Sequence, residues 1–461
     1  MTEVVHADSH LKATPLAWTR SKAPVRYLAF WALAACTASA EEVRPPEDQL
    51  YFPTGAAITP DDKLLFVANA NAELRYDSGS LAVVDLDLVD QIAADWTVGK
   101  TSPSDCDQDP DFIETLICDE TQFIKLHAGA RIGNFATSIA VQDTGGGSLR
   151  LIVPTRGDPS VAWVDWNGSE LNCNPGAEGF ALCDETHRLS YVHDDPDLAV
   201  LPDEPFDAFA SSNGQFAMVT HLSSGAVTLI DSPIGGNARI ADVATGIFEP
   251  DPVTGLRGST GIGARTSPDG DIVYVGSRSE DRIQTFTVGR PVNHVDPYLI
   301  PGDYFFLNLV GSNAGGSYDT RGMKFSPSGD RMYLINRRPP SLQVFDTSVG
   351  DGGFPQNLGI AGTDICRQAS ELAVMDTGDG ERVYITCFST GELYIVDPRG
   401  QATVDDILTV GRGPYSVVAA PTKKKVYVTN FLEDTVSVID VAPGSPTRNR
   451  VVLRIGQVKP P

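Results

Sequence analysis

The sequence has few of the residues and motifs on which common enzyme active sites depend. Only 7 histidines occur among 461 residues, and none has zinc-protease or deaminase spacing. There is no Gly-x-Ser-x-Gly motif, no phosphate-binding loop and no dinucleotide-binding glycine motif. Cys-x-x-Cys is absent, which excludes a thioredoxin-type site and covalent c-type haem. No recognisable catalytic set remains.

Basic residues are also scarce, because 35 Lys and Arg face 60 Asp and Glu and leave a net charge of -25. Such a surface repels phosphate backbones, so we expect no nucleic acid partner. Long amphipathic helices are hard to find, whereas glycine (43) and proline (32) are frequent. This composition favours short strands joined by turns, and 41% hydrophobic residues suffice for a core.

The chain begins with features of an exported protein. Basic residues precede the apolar run 27–35, which is too short to span a bilayer, so residues 1–35 are predicted to be a signal peptide. The run ends at Cys36 in Leu-Ala-Ala-Cys, which resembles the bacterial lipobox. That resemblance implies a diacylated Cys36 and, because Thr37 follows, an outer-membrane lipoprotein with its tether at 36–49. The alternative is an ordinary secretory signal that is cleaved nearby.

The remaining six cysteines fall into three local pairs. We expect disulfides between Cys106 and Cys118, Cys173 and Cys183, and Cys366 and Cys387. An even set of this kind indicates an oxidising compartment, and Cys36 accounts for the odd count.

An internal repeat decides the predicted fold. Seven β-rich runs close at Asn69, Thr155, His221, Ser277, Asn336, Cys387 and Asn430. A second alternating run follows each of them and closes at Asp85, Asp165, Asp231, Thr287, Asp346, Asp397 and Asp440. The offset between the two closing residues is 10 in six repeats and 16 in the first. A constant offset within variable spacing is typical of a two-stranded hairpin with free connections.

Further apolar runs lie before and after each hairpin, which gives four strands per repeat. The sequence therefore predicts an all-β protein, a seven-bladed β-propeller of four-stranded antiparallel blades over residues 50–461. Residues 92–99 are expected to be the outer strand of the first blade, and residues 451–456 that of the seventh. No strand is shared between the termini, so the ring is expected to close by packing, in a monomer.

The last repeat carries a family resemblance. The run 426–430 (Val-Tyr-Val-Thr-Asn) with 436–440 (Val-Ser-Val-Ile-Asp) resembles the YVTN-repeat propeller family. The resemblance implies the fold, but leaves function open because this fold hosts lactonases, dehydrogenase subunits and binding modules.

Two groups of residues are candidates for a binding site. Five arginines lie just before or at the start of predicted inner strands, where they would surround the mouth of the central channel and bind an anion: Arg131, Arg257, Arg321, Arg367 and Arg412. Alternatively, each pairs with a neighbouring carboxylate. Four alternating aspartates in a rim loop, 100–131, suit calcium: Asp105, Asp107, Asp109 and Asp111. A solvated acidic loop is the alternative, and no other cofactor is expected.

These features favour a lipid-anchored binding or scaffold protein that presents its rim to a protein, a glycan or a small anionic ligand. Contact with the membrane would be through the lipid alone. The alternative is a periplasmic enzyme on the same fold, either a lactonase-like hydrolase or a dehydrogenase subunit. Binding is favoured because the sequence shows arginines where an enzyme needs clustered carboxylates, histidines or metal ligands.

Acylation of Cys36 is directly testable. Metabolic labelling with a fatty-acid analogue should mark the wild-type protein and should leave the Cys36→Ala variant unlabelled. Release of the wild-type protein into the medium without detergent would contradict the prediction.

Overall fold

The computed structural model describes residues 43–99, 101–177, 179–190, 201–267, 270–290, 296–307 and 318–457. Within these ranges the chain forms seven antiparallel blades arranged as a propeller ring. The predicted fold class is therefore confirmed. The leader and Cys36 lie outside the described residues. In the described part, no helix is long and apolar enough to cross a membrane.

Each blade is a meander in which the strands run outward from the channel in chain order. Blade 1 contains β1 (Pro53–Ile58), β2 (Leu64–Asn69), β3 (Gly79–Asp85) and β6 (Ala130–Ile132). Before β6 the chain forms α1 (Leu86–Gly99), β4 (Cys106–Gln108), β5 (Leu116–Cys118) and a 3₁₀ turn (Glu120–Gln122). Blade 2 contains β7 (Ala140–Gly145), β8 (Ser148–Thr155), β9 (Ser160–Trp166), β10 (Leu171–Asn172), a 3₁₀ turn (Glu185–His187) and β11 (Arg188–Ser190). Blade 3 contains β12 (Pro205–Ser211), β13 (Phe216–His221), β14 (Val227–Asp231) and β15 (Arg239–Ala244).

The remaining blades have four strands and no helix among the described residues. Blade 4 contains β16 (Ser259–Ser267), β17 (Gly270–Ser277), β18 (Arg282–Gly289) and β19 (Tyr298–Phe306). Blade 5 contains β20 (Thr320–Phe325), β21 (Arg331–Arg337), β22 (Pro340–Asp346) and β23 (Leu358–Asp364). Blade 6 contains β24 (Ala369–Asp376), β25 (Glu381–Cys387), β26 (Glu392–Asp397) and β27 (Thr403–Thr409). Blade 7 contains β28 (Pro414–Ala420), β29 (Lys425–Asn430), β30 (Thr435–Asp440) and β31 (Arg450–Ile455).

The core lies between the faces of neighbouring blades. Three residues before the end of each predicted first run stands a large buried side chain, a tyrosine in blades 4 to 7. The seven are Phe66, Ile152, Met218, Tyr274, Tyr333, Tyr384 and Tyr427. A tyrosine fills the space and can place its hydroxyl at the blade edge, as Tyr333 does by donating to Glu381 (2.7 Å). Blades 1 to 3 have an apolar side chain without a hydroxyl at this position.

A ring of hydrogen bonds joins successive blades around the channel. In six of the seven junctions a threonine hydroxyl of one blade donates to a main-chain carbonyl at the inner strand of the next. At the seventh junction Arg337 Nε donates to the carbonyl of Ala369 (2.6 Å). Thr429, the threonine of the Val-Tyr-Val-Thr-Asn run, donates to the carbonyl of Thr54 (2.7 Å) and so joins the last blade to the first.

The segment between β3 and β6 differs from its prediction. Residues 92–99 belong to helix α1 and are not an outer strand, which β6 supplies instead. Leu86, Val89, Ala93 and Trp96 are buried and follow a helical period of three to four residues. Asp85 Oδ1 accepts from the N–H groups of residues 87 and 88 and caps the first turn.

After α1 comes a disulfide-linked hairpin, residues 105–119, which we call the clasp. Its strand β5 pairs in parallel with β31 and therefore extends blade 7 outward, with β4 at the edge. Thr115 donates to the carbonyl of Val451 (2.7 Å), and the buried Arg454 pairs with Asp109 (3.3 Å). Residues 100–131 were expected to form a loop on the rim. The clasp instead binds the start of the ring to its last strand.

All three predicted disulfides are confirmed. Cys106–Cys118 closes the clasp, and Cys366–Cys387 joins the segment before β24 to the end of β25. Cys173–Cys183 closes the segment between β10 and β11, and this segment pairs with blade 1 because Arg131 N–H donates to the carbonyl of Ala181 (2.9 Å). Two of the three disulfides therefore stiffen contacts between blades.

Opening the clasp should loosen the junction of blades 7 and 1 more than other junctions. A Cys106→Ala/Cys118→Ala variant should lose about 3 kcal/mol of stability, since a loop of this size restricts the unfolded chain by roughly that amount. Amide hydrogen exchange should accelerate in residues 450–456 and stay unchanged in β8 and β9. Equal acceleration in all blades, or none in 450–456, would contradict the role of the clasp.

Candidate functional site

The inner strands of the blades line the central channel, and their third residues lie at one level. In six blades these positions are Gly55, Asp207, Gly261, Gly322, Glu371 and Ser416, and in blade 2 the corresponding residue, Ser138, lies two residues before β7. The strands crowd together here, because a Cβ atom on Gly322 would lie 2.6 Å from Glu371 Oε1. Only blades 3 and 6 place a carboxyl group at this level.

Lys324, further along the inner strand of blade 5, pairs with one of these two carboxyl groups, that of Glu371. Its Nζ lies 3.7 Å from Glu371 Oε1, and its side chain is 43% exposed whereas that of Glu371 is 18% exposed. Asp207 is buried, and its Oδ1 accepts from the N–H of Ala208 (2.9 Å). A cavity of about 300 Å³ between the inner strands of blades 3 to 5 reaches Ala208 and Lys324. Of the three charged side chains, Lys324 lines this cavity.

The surroundings of Asp207 favour its neutral form. Burial, followed by the negative charge of Glu371, raises the pKa of Asp207 to about 7, although Lys324 opposes this. Burial alone would lower the pKa of Lys324, but Glu371 and Asp207 outweigh it and hold that pKa above its usual value. An aspartic acid that titrates near neutrality beside an ammonium group is a common property of catalytic sites.

Arginines gather where the channel opens on the face that carries the second-to-third strand loops. The residue after each closing position of a first run is an arginine in blades 2, 4 and 5: Arg156, Arg278 and Arg337. Arg321, the second residue of β20, lies among them. Burial, then the guanidinium of Arg321, lowers the pKa of Arg337 to about 10, and the same two causes lower the pKa of Arg278. Two carboxylates offset part of this charge, since Glu204 binds Arg156 and Asp319 binds Arg321.

Aromatic rings occupy the equivalent positions on the other side of the mouth. Phe388 and Phe431 follow the closing residues of blades 6 and 7, with their ring centroids 6.0 Å apart. Tyr415 lies 6.4 Å from Phe431, and Arg321 lies 5.3 Å above the ring of Phe206. Burial raises the pKa of Tyr415, while Arg321, Arg156 and Arg337 oppose that shift. The mouth thus has one cationic side and one aromatic side.

The structure brings one of the five predicted arginines, Arg321, into this cluster. Arg131 lies on the outer strand β6 and pairs with Asp77 (2.9 Å), so its expected place before an inner strand is wrong. The cause is the insertion of helix α1 and the clasp between β3 and β6, which makes residues 130–132 the outer strand of blade 1. Arg412 pairs with Glu433 (3.3 Å), Arg367 is exposed before β24, and Arg257 lies in the loop before β16.

The four aspartates proposed for calcium do not converge. Asp109 pairs with Arg454 and accepts from the N–H groups of residues 111 and 112. Asp105, Asp107 and Asp111 are exposed on the clasp. Among the residues that the structure describes, no three His, Cys, Asp or Glu side chains are grouped so that they could hold a metal ion. The clasp therefore uses Asp109 for its own fold.

Comparison with known proteins agrees on the fold. The chain matches no protein family profile and no curated protein. Solved structures are similar over most of its length. A candidate 6-phosphogluconolactonase from Bacteroides fragilis shares 13% identity over 89% of this chain and 99% of that one, with a TM-score of 0.52. Another from Bacteroides uniformis shares 13% identity over 88% and 99%, with a TM-score of 0.50. A Lactobacillus plantarum protein shares 15% identity over 89% and 99%, with a TM-score of 0.51. At such identity the likeness establishes the propeller alone.

Proposed function

We propose that this protein is an extracytoplasmic hydrolase that opens the lactone ring of a small anionic substrate at the mouth of its channel. The observation that carries the proposal is the cluster of Arg156, Arg278, Arg321 and Arg337 at the channel mouth in a chain of net charge -25. Converging guanidinium groups attract and orient an anion. The carboxyl and ammonium groups of the inner strands are of the types needed to move a proton and to stabilise an oxyanion.

The solved structures described as candidate 6-phosphogluconolactonases support the lactone as substrate, since they share the ring architecture. The aromatic side of the mouth suits the flat face of a sugar ring. The enzyme alternative from the sequence is thus favoured over a pure scaffold. Binding of a small anion remains as its first step, whereas rim contacts with proteins or glycans stay a prediction.

The three disulfides indicate an oxidising, extracytoplasmic location. Within the proposal, the Cys36 lipid holds the propeller at the outer membrane, where substrate reaches the open mouth from solution. Membership of the YVTN-repeat family accords with this role and stays a prediction.

The charge requirement can be tested with two substrates that differ by one phosphate. The purified protein should hydrolyse 6-phosphogluconolactone and glucono-δ-lactone, with acid release followed in a pH-stat. Arg278→Ala should raise KM for the phosphorylated lactone about 10-fold or more, since a charge-assisted hydrogen bond contributes about 1.5–3 kcal/mol. KM for the neutral lactone should change little.

Arg278→Lys keeps the charge and should recover part of the affinity. Arg399→Ala is the matched control, because Arg399 is exposed and paired with Asp397. Added salt should weaken the phosphorylated lactone more than the neutral one. No turnover of either lactone by the wild-type protein, or equal effects of Arg278→Ala on both, would contradict the proposal.

A further inference from the structure

A second cavity opens between blades 1 and 2, on the face that carries the turns between first and second strands and lies opposite the arginine-lined mouth. Its volume of about 540 Å³ is within the usual range of small-molecule sites, about 300–1,000 Å³. Residues of the turn 59–63 in blade 1 and of the turn 145–147 in blade 2 line it. Trp166, at the end of β9, lines it as well. We call this space the lateral cleft.

Trp166 leaves a hydrogen-bond donor unused in the lateral cleft. The residue is only 4% exposed, yet its indole N–H donates to no described residue and remains open to solvent. By contrast, the indole N–H groups of Trp96 and Trp163 donate to the carbonyl groups of Glu114 (2.8 Å) and Thr186 (2.9 Å). A buried tryptophan normally has a partner for its N–H. The N–H of Trp166 is therefore available to a ligand in the cleft.

The charged groups of the lateral cleft offer donors and acceptors side by side. The Lys63 ammonium group lies 3.3 Å from Asp61, and that of Lys125 lies 3.5 Å from Asp85. Each ammonium group has three N–H donors, so donors remain beyond these contacts. Asp143 is exposed at the cleft and accepts through Oδ1 from the N–H of residue 145 (2.8 Å). Carboxylates outnumber ammonium groups here, which disfavours an anionic ligand.

The turn of blade 2 keeps its side of the lateral cleft clear of side chains. Residues 145–147 are three consecutive glycines with φ angles of 88°, 66° and 85°. A Cβ atom added to any of them would meet nothing within 4 Å, so the turn faces open space. Glycine at such φ angles lets a ligand approach the main chain closely.

We propose that the lateral cleft binds a neutral carbohydrate, either a free sugar or the end of a glycan chain. A sugar hydroxyl both donates and accepts hydrogen bonds, so the hydroxyls of one ring can meet the indole N–H, the ammonium groups and the carboxylates together. The C–H groups of the same ring can pack on Leu64 and Leu149, which also line the cleft. A metal ion is not favoured, because no three carboxylates among the described residues are grouped to hold one. The inference does not rest on lactone hydrolysis, since the lateral cleft and the channel mouth lie on opposite faces.

The test is a titration of ¹⁵N-labelled protein with neutral sugars, followed at the indole N–H resonances. The sugars are D-glucose, D-galactose and N-acetyl-D-glucosamine, with lactose and di-N-acetylchitobiose as models of chain ends. One resonance, absent from Trp166→Phe, should shift with at least one sugar, whereas those of Trp96 and Trp163 should stay in place. It should also exchange with water faster than these two and slow down when the sugar binds. Tighter binding of a disaccharide than of its component sugars indicates a glycan end, and equal affinity indicates a free sugar.

Variants distinguish the lateral cleft from the channel mouth, with affinities measured by isothermal titration calorimetry. Trp166→Phe keeps an aromatic ring and removes the N–H, so sugar affinity should fall about 2- to 10-fold, as expected for one neutral hydrogen bond. Lys125→Met removes an ammonium group on a side chain that is 41% exposed, and should weaken binding by a similar factor. Arg278→Ala, at the mouth, is the control and should leave sugar affinity unchanged.

Circular dichroism establishes that each variant is folded, and Lys125→Met tests the cleft without changing a buried residue. An indole resonance of Trp166 that responds to none of the five sugars would overturn this inference. Sugar binding that is lost in Arg278→Ala and kept in both cleft variants would overturn it as well. Either result would leave the proposed lactone hydrolysis standing.

Discussion

The propeller depends on the hydrogen bonds that run from each blade to the inner strand of the next. Inner strands meet so closely around the channel that their carbonyl groups are hidden from water, and a buried carbonyl without a donor is costly. A side chain of the preceding blade supplies that donor, as Thr429 does for Thr54. The same contact sets every inner strand at a common height. It therefore places Asp207 and Glu371 at corresponding positions of blades 3 and 6.

The repeat alone was enough to predict the blades, because a two-stranded hairpin of constant length can be recognised even when the connections between hairpins differ in length. The closing residues of the first runs mark the ends of the second strands, apart from Asn336, beyond which β21 continues for one residue. Residues 92–99 were misassigned because Trp-Thr-Val-Gly favours strands locally, whereas the spacing of the buried residues in α1 is helical. The pairing of the clasp with β31 could not be predicted from the sequence, because two short strands that are distant in sequence carry no local pattern that identifies them as partners.

The site was predicted only in part. An arginine-lined mouth was expected, but the positions chosen preceded inner strands, and three of the four clustered arginines instead follow or end second strands. A comparison of the repeats one position beyond each closing residue would have found Arg156, Arg278 and Arg337. Comparing the third residues of the inner strands would likewise have separated Asp207 and Glu371 from glycine and serine. The proximity of Glu371 to Lys324 depends on the curvature of the ring, which the sequence pattern does not predict.

The pairing of β5 with β31 has a consequence for how the chain is made. Residues 116–118 emerge from the ribosome long before residues 453–455, which are their partners. Until the last strand is present, β5 therefore has no partner on that edge, whereas the local disulfide of the clasp needs no distant contact. Assembly of the ring is completed by the final strand, so a chain cut short before residue 450 would retain an open edge prone to aggregation.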